Sequence, residues 1–386
     1  MRSLSTSPIT GPRTRSAVRG FTLVELLVAT VILLLIMALV LSITDQTSKI
    51  WKTSTAKIQG FQSARAAYDT MTMRLRQATL NTSLDYYDST LNPRTPASVN
   101  FVPAFYARNS DLHFVVDQSW NIFTATPGVH PAHSVFFQAP LGVTSTSGYA
   151  PLQSMLNACG YYVEFSTDKP SFPPFLSAAT AVHERYRYRL MEFLQPGEAN
   201  TIYSTSYTAG MASTVYNQWF TNFLPTSLAL VNTPPKTPPP PYHVLAENII
   251  ALVVCPELTA KDQSIAPNYT YDSRAGDITK LPHHQLPPIL RVVMVAIDEP
   301  SATRLNPNGS TTPPTTISTL FQQGSSALFQ TPYNPPYSST TAANNPAPNN
   351  LDADLAKLTA VLTAQKINYR VYDTDIAIHG AKWSVQ

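Results

Sequence analysis

Charged side chains are scarce, at 13% of 386 residues, about half the usual globular share of roughly 25%. Glycine is scarcer still for so long a chain, with 13 residues, which excludes a collagen-type helix because that needs glycine at every third position. The two cysteines are too few for a zinc-knuckle set. Basic excess is missing outside one short stretch. The formal charge is +3, and Arg2, Arg13, Arg15 and Arg19 all fall in the first twenty residues; removing those four from 26 leaves 22 basic against 23 acidic side chains. No broad positive field remains for nucleic acid. The phosphate-binding patterns G-x-x-x-x-G-K-[ST] and G-x-G-x-x-G are absent, and so are H-E-x-x-H and G-x-S-x-G. What is present is 44% hydrophobic and 10% aromatic residues with 34 prolines, enough apolar surface to exclude a wholly disordered chain. The length allows one large domain or two ordinary ones.

The arginine-bearing start is followed by Gly20-Phe21-Thr22-Leu23-Val24-Glu25 and then by the uncharged run Leu26 to Ile43. Eighteen residues of helix span about 27 Å, close to a bilayer core of about 30 Å. Arginines before the run predict a cytoplasmic N-terminus and an exported remainder. A secretory signal has a shorter apolar core, of about 7 to 15 residues, and a small-x-small cleavage site, which this run lacks. A plain uncleaved anchor leaves Glu25 unexplained, because an unpaired carboxylate at the start of a membrane helix costs at least a few kcal/mol.

The stretch Gly-Phe-Thr-Leu-Val-Glu-Leu-Leu-Val-Ala resembles the prepilin-type signal of type IV pilins and type II secretion pseudopilins. The resemblance implies cleavage by a prepilin peptidase after Gly20, N-methylation of Phe21 and retention of the apolar helix. It also implies that Glu25 pairs with the new ammonium of a neighbouring subunit during assembly. Phe21 and Glu25 are four apart, on one helix face, and a first-turn carboxylate suits the positive end of the helix dipole.

Helical spacing continues beyond the span. Phe61, Ala64, Tyr68, Met71, Leu75 and Ala78 recur at intervals of 3 and 4, a stripe for packing on another surface, and no proline occurs between Pro12 and Pro93. A helix from Phe21 to about Thr79, close to 90 Å long, is expected. Downstream the period changes to two. Strands are expected at Leu112–Val116, Gly160–Phe165, Arg185–Leu194, Ile249–Cys255, Ile289–Ile297 and Arg370–His379, with Ile289–Ile297 central and the Arg185–Leu194 strand half exposed. A late helix is expected at Leu351–Ala364 with Leu351, Leu355, Leu358 and Leu362 on one face. The fold class is therefore α+β: a long N-terminal helix packed on a mostly antiparallel sheet. The expected divisions are a leader at 1–20, a membrane or assembly helix at 21–44, a stalk helix at 45–80 and an extracytoplasmic head at 81–386. Pro-rich segments at 233–242 and 301–350 read as surface connections.

The order of strands, through Gly160-Tyr161-Tyr162-Val163-Glu164-Phe165 to Leu286-Pro287-Pro288-Ile289, resembles loosely the minor pseudopilin J of type II secretion. The phrases Val293-Met294-Val295-Ala296-Ile297-Asp298-Glu299 and Ile376-Ala377-Ile378-His379-Gly380 resemble more closely the Verru_Chthon cassette protein C family of prepilin-like proteins.

Other chemistry is thin. Cys159 and Cys255 form a possible disulfide closing a long loop, or two buried thiols acting as small apolar residues. His130, His133 and the His283-His284 pair read as loop histidines without ligand duty. Asp272 and Asp277 lack the spacing of an EF-hand and read as turn residues. Ser54-x-x-Lys57 and Ser166-x-x-Lys169 are short patterns expected by chance. Arg185, Arg187 and Arg189 could face an acidic partner, but a solvated face paired with acids is the usual outcome. No catalytic residue, metal or cofactor is expected, and the chain reads as a structural subunit rather than an enzyme. Its expected partners are a prepilin peptidase, other pilin-like subunits and inner-membrane lipid, with no nucleic acid. The alternative is an anchored binding module with a tyrosine-rich head that does not polymerise.

Overall fold

A proline-free stretch with an acid at its start and a base at its end makes one helix, α1, over Leu23–Leu75, with Glu25 in the first turn and Arg74 in the last. The computed structural model describes residues 20, 22–94, 100–123, 128–169, 172–173, 184–204, 216–224, 240–257, 266–274, 283–321, 327–330 and 350–382. The chain divides into two units, Met1–Thr55 and Ala56–Gln386. The first contains the exposed apolar part of α1; the second contains its last turns and the head.

In the head, β1 (Ser83–Tyr87) and β2 (Phe105–Asn109) pair as a separate antiparallel ribbon. The strands β3 (Val115–Gln118), β4 (His133–Pro140), β5 (Leu156–Thr167), β6 (Tyr186–Gln195), β7 (Tyr242–Glu247) and β9 (Tyr271–Asp272) form a six-stranded sheet in the order β7-β6-β5-β4-β3-β9. A three-stranded sheet has β10 (Ile289–Ile297) between β8 (Ile249–Glu257) and β11 (Tyr369–Ala377), antiparallel to both. Helix α2 (Glu299–Leu305) begins at Asp298, whose carboxylate accepts from Ser301 N at 3.0 Å. Helix α3 (Asn350–Ala364) leads into β11. The architecture is α+β and pilin-like, a long helix packed against antiparallel sheets.

Two cores explain the strand composition. The larger joins Ala64, Ala67, Tyr68, Met71 and Leu75 of α1 to one face of the six-stranded sheet, to β8 and β10, and to Leu351, Leu358 and Leu362 of α3. Tyr68 donates its hydroxyl to Val292 O at 2.7 Å and Tyr372 donates to Phe61 O at 2.8 Å, so helix and sheet exchange bonds at two points. The smaller core lies on the opposite face of the six-stranded sheet, where Phe136, Tyr162 and Phe193 meet Trp219 and Phe220.

Because both faces are covered, β6 is buried almost throughout, which corrects the half-exposed reading of the Arg185–Leu194 segment. Strands β1, β2, β4, β7 and β9 were not anticipated; β4 begins inside the His130-Pro-Ala-His133 phrase read as loop. The 301–350 segment is also not wholly a surface connection, since Ala302, Ile317, Phe321, Leu328 and Phe329 join the larger core. Of the 233–242 spacer only its last three residues are described, and there β7 begins.

Gly160 on β5 shows why one glycine interrupts an otherwise bulky strand. A Cβ there would come within 2.2 Å of Cδ1 of the Phe136 ring, which stacks on Phe220 at 4.1 Å. Gly160→Ala is expected to destabilise the head by about 1–3 kcal/mol through overpacking. Chemical denaturation with unchanged slope would check this, and an unchanged midpoint would refute it.

Candidate functional site

The start of α1 is the first candidate, because there a charge, a helix end and an apolar run coincide. Thr22 precedes the helix and exchanges bonds with Glu25: Glu25 N donates to Thr22 Oγ1 at 3.2 Å, and Thr22 N donates to Glu25 Oε2 at 3.4 Å. This is a capping box, which occupies two amides that the first turn leaves without partners. Thr22 escaped the sequence reading although the pattern Thr-x-x-Glu before an apolar run could have found it. Gly20 is exposed, and Phe21 lies outside the described residues, as do Arg2, Arg13, Arg15 and Arg19. Leu33, Leu34 and Leu35 are 63%, 65% and 64% exposed, and every side chain from Leu23 to Ile43 stands open. This helix is long and apolar enough to cross a membrane.

Among the described residues of the head, chemistry-bearing side chains gather in three places. In the first, His113 Nε2 is 2.7 Å from Asp272 Oδ1, Trp219 Nε1 donates to His113 Nδ1 at 3.0 Å, and Tyr216 donates to Asp272 Oδ2 at 2.7 Å. A histidine held by a carboxylate resembles part of a catalytic relay. Here, however, the indole N–H fixes Nδ1 as an acceptor and Nε2–H is spent on Asp272, so neither nitrogen is available to take a substrate proton. Burial lowers the His113 pKa, opposed by Asp272; burial would raise Asp272, but its interaction with His113 and the bonds from His113, Tyr216 and Arg274 N outweigh that and keep it below the usual carboxylate range. The group stitches β3, β9 and the turn carrying Trp219 together. Asp272 is thus engaged, and Asp277 lies outside the described residues.

The second place is the arginine row that starts at Arg185, just before β6, and runs into that strand. Arg185 Nε donates to Asp168 Oδ2 at 2.8 Å, Arg187 Nη2 to Glu299 Oε1 at 3.2 Å and Arg189 Nε to Glu247 Oε1 at 3.3 Å. Arg187 and Arg189 are 7% and 1% exposed, so their charge is consumed inside the head and does not present a surface to an acidic partner. Glu164, opposite Arg189 across the β5–β6 pair, has its pKa pushed up to about 7 by burial, with Arg189 pulling it back.

The third is Glu192 on β6. It accepts from Arg74 of α1, from Tyr161 Oη at 2.6 Å and lies 3.0 Å from His243 Nε2. Burial would raise its pKa, but the bonds from His243 and Tyr161 and the charge of Arg74 outweigh that and hold it low. Charge and hydrogen bonds here fasten the last turn of the stalk to the sheet.

The four histidines read as loop residues are all buried, at 8% or less exposure. His133 joins the two large sheets: Val254 N donates to His133 Nδ1 at 3.1 Å, and His133 Nε2–H donates to Phe329 O at 2.9 Å. The first of these bonds requires the neutral ring, because Nδ1 can accept only when it carries no proton. Burial lowers its pKa from 6.5 to about 4, a shift worth roughly 3 kcal/mol. The unfolded chain therefore binds the proton more readily between those values. This contribution is intact above about pH 6.5 and is lost as pH falls toward 4. Urea unfolding at pH 7 and pH 4.5 should show a His133→Gln variant losing about 2 kcal/mol less than the parent on acidification; equal losses would remove His133 as the cause.

Cys159 on β5 and Cys255 on β8 are separate buried thiols, and burial pushes the Cys159 thiol well up. Neither Ser-x-x-Lys phrase places its lysine on its serine: Lys57 Nζ stands 3.8 Å from Asp298 and Lys169 pairs with Glu184 at 2.8 Å. Among the described residues no group of three His, Cys, Asp or Glu is arranged to hold a metal.

Residues 15–41 match the prokaryotic N-terminal methylation motif. The match covers Arg15, Arg19, Gly20, Phe21, Glu25 and most of the apolar run. It is the mark of a pilin-like precursor with a membrane-anchoring helix. No curated protein and no solved structure matches this chain.

Proposed function

We propose that the chain is a structural minor subunit of a type IV pilus-like or type II secretion-like filament. It is inserted in the inner membrane with its leader in the cytoplasm and its head outside. A prepilin peptidase cleaves after Gly20, Phe21 is methylated, and the apolar half of α1 packs among other pilin-like subunits. The observation that carries this reading is the capped start of α1: one carboxylate, Glu25, stands in the first turn of an otherwise uncharged run that matches the methylation motif. Cleavage supplies the cation that such a carboxylate needs in an apolar layer. The size of the head suits a minor or initiating subunit, in keeping with the resemblance to pseudopilin J and to Verru_Chthon cassette protein C.

Mass spectrometry of the mature N-terminus tests the processing step. A chain beginning at methylated Phe21 supports it; an intact Met1 removes its basis. Copurification of other chains bearing the same motif tests assembly.

One observation favours the second reading, an anchored binding module. On the β1–β2 ribbon Leu84, Tyr86 and Tyr106 are 55%, 48% and 57% exposed on one face, and the two tyrosine rings lie 4.9 Å apart. A monomeric head that bound a ligand through this face, without copurifying subunits, would favour that reading over assembly.

A further inference from the structure

The part of α1 just past the apolar run has a composition that neither the span nor the head explains. Lys49, Ile50, Trp51 and Lys52 are consecutive and all exposed, with Ile50 at 67% and Trp51 at 74%. Successive helical residues turn by about 100°, so these four side chains point in four directions around the whole circumference. A partner helix would be met by one stripe. A ring of a tryptophan, an aliphatic and two lysines is instead what a layer surrounding the helix requires. The nearest acid is Asp45, which pairs with Lys49 at 2.7 Å, so the segment keeps net positive charge.

Position along the axis agrees. Trp51 lies eight residues beyond Ile43, about 12 Å further on. The headgroup layer adds roughly 5–8 Å to each side of the hydrocarbon. Side chains on a helix lean toward its N-terminus, and spanning helices tilt by about 20°, so the indole and the ammonium groups return to the outer headgroup layer. Aromatic rings with one apolar body and one polar N–H favour that layer, and lysines there attract anionic lipid.

We infer that Lys49, Ile50, Trp51 and Lys52 form an interfacial belt that seats α1 in the headgroup layer of the outer leaflet of the membrane it spans, with preference for anionic phospholipid. The inference rests on the membrane-spanning reading of α1. The occupant is lipid because the residues encircle the helix, carry charge opposite to acidic headgroups and follow the apolar run on the same helix within about two and a half turns.

The test uses the full chain reconstituted in phosphatidylethanolamine–phosphatidylglycerol vesicles, with a nitroxide on the headgroup or deep in the acyl chain. Flotation with the vesicles first checks the span. The expected result is that headgroup nitroxide quenches tryptophan emission about twofold more than chain nitroxide. In a chain that also carries Trp120→Phe and Trp383→Phe, Trp51→Phe should abolish that difference, because the remaining Trp219 is buried in the head. Nitroxide carried on phosphatidylglycerol should quench more than nitroxide carried on phosphatidylcholine, and Lys49→Gln with Lys52→Gln should equalise the two. If the chain floats but Trp51 emission ignores both nitroxides, the belt is overturned and the span survives. If the chain does not float, both fall.

Discussion

Glu25→Gln is expected to be inserted and processed like the parent, yet to reach an assembled filament at least about tenfold less. The substitution is informative because the capping box accepts glutamine as readily as glutamate. The reciprocal bonds between Thr22 and residue 25 can therefore persist while the negative charge is lost. Glu25→Ala removes the charge and the acceptor for Thr22 N, leaving only the bond from the residue 25 amide to Thr22 Oγ1, and costs about 1 kcal/mol in the first turn besides. If the charge pairs with the ammonium created at Phe21 of a neighbouring subunit, the glutamine variant should fail as severely as the alanine variant. If capping is the only role, the glutamine variant should assemble normally and only alanine should be impaired. Shear fractions compared with membrane fractions, each probed for the head, would separate the two. Normal assembly of the glutamine variant would refute pairing and with it the central step of the proposed function.

Glu192→Ala should lower the stability of the head by about 3–5 kcal/mol, the usual consequence of leaving a partly buried cation without its carboxylate. Arg74 and Tyr161 both donate to Glu192, whose side chain is 3% exposed, and water cannot readily replace the lost acceptor. The helix bearing Arg74 is fixed to the same sheet by apolar packing of Met71 and Leu75, so global folding should survive. Hydrogen exchange should quicken in the last turns of α1 before it quickens in β10. Arg74→Leu combined with Glu192→Leu should cost clearly less than the two single changes added together, since no charge is then stranded. A Glu192→Ala head within about 0.5 kcal/mol of the parent would show that packing alone seats the stalk.

The sheets were legible where one strand carried a long apolar or alternating run. Ile289–Ile297 was expected as a central strand and is one, flanked by β8 and β11. The helix stripe Ala64, Tyr68, Met71 and Leu75 faces the larger core as its spacing required. Strand β4 was hidden because His133, Ser134 and Gln138 break its apolar pattern, and their burial depends on partners far away in the chain. Strand β7 was hidden behind a proline run that suggested a spacer. The burial of Arg187 and Arg189 was invisible for a related reason. Alternation tells which residues share a face of a strand, but it does not tell whether a second layer covers that face.

Local physics is enough for the start of this protein. An uncharged run of membrane length, the carboxylate four residues after Phe21 and the arginines before it are all properties of consecutive residues, so the chain alone determined a helix apolar and long enough to cross a membrane and its expected processing. The head is different. Whether His113 is a base or a stitched core residue, and whether the β6 arginines face water or acids, depends on Trp219, Asp272, Glu247 and Glu299, each contributed by a distant segment. Only the folded arrangement decided those, because a side chain's charge and hydrogen-bonding state follow from what surrounds it in space, and sequence separation does not encode that.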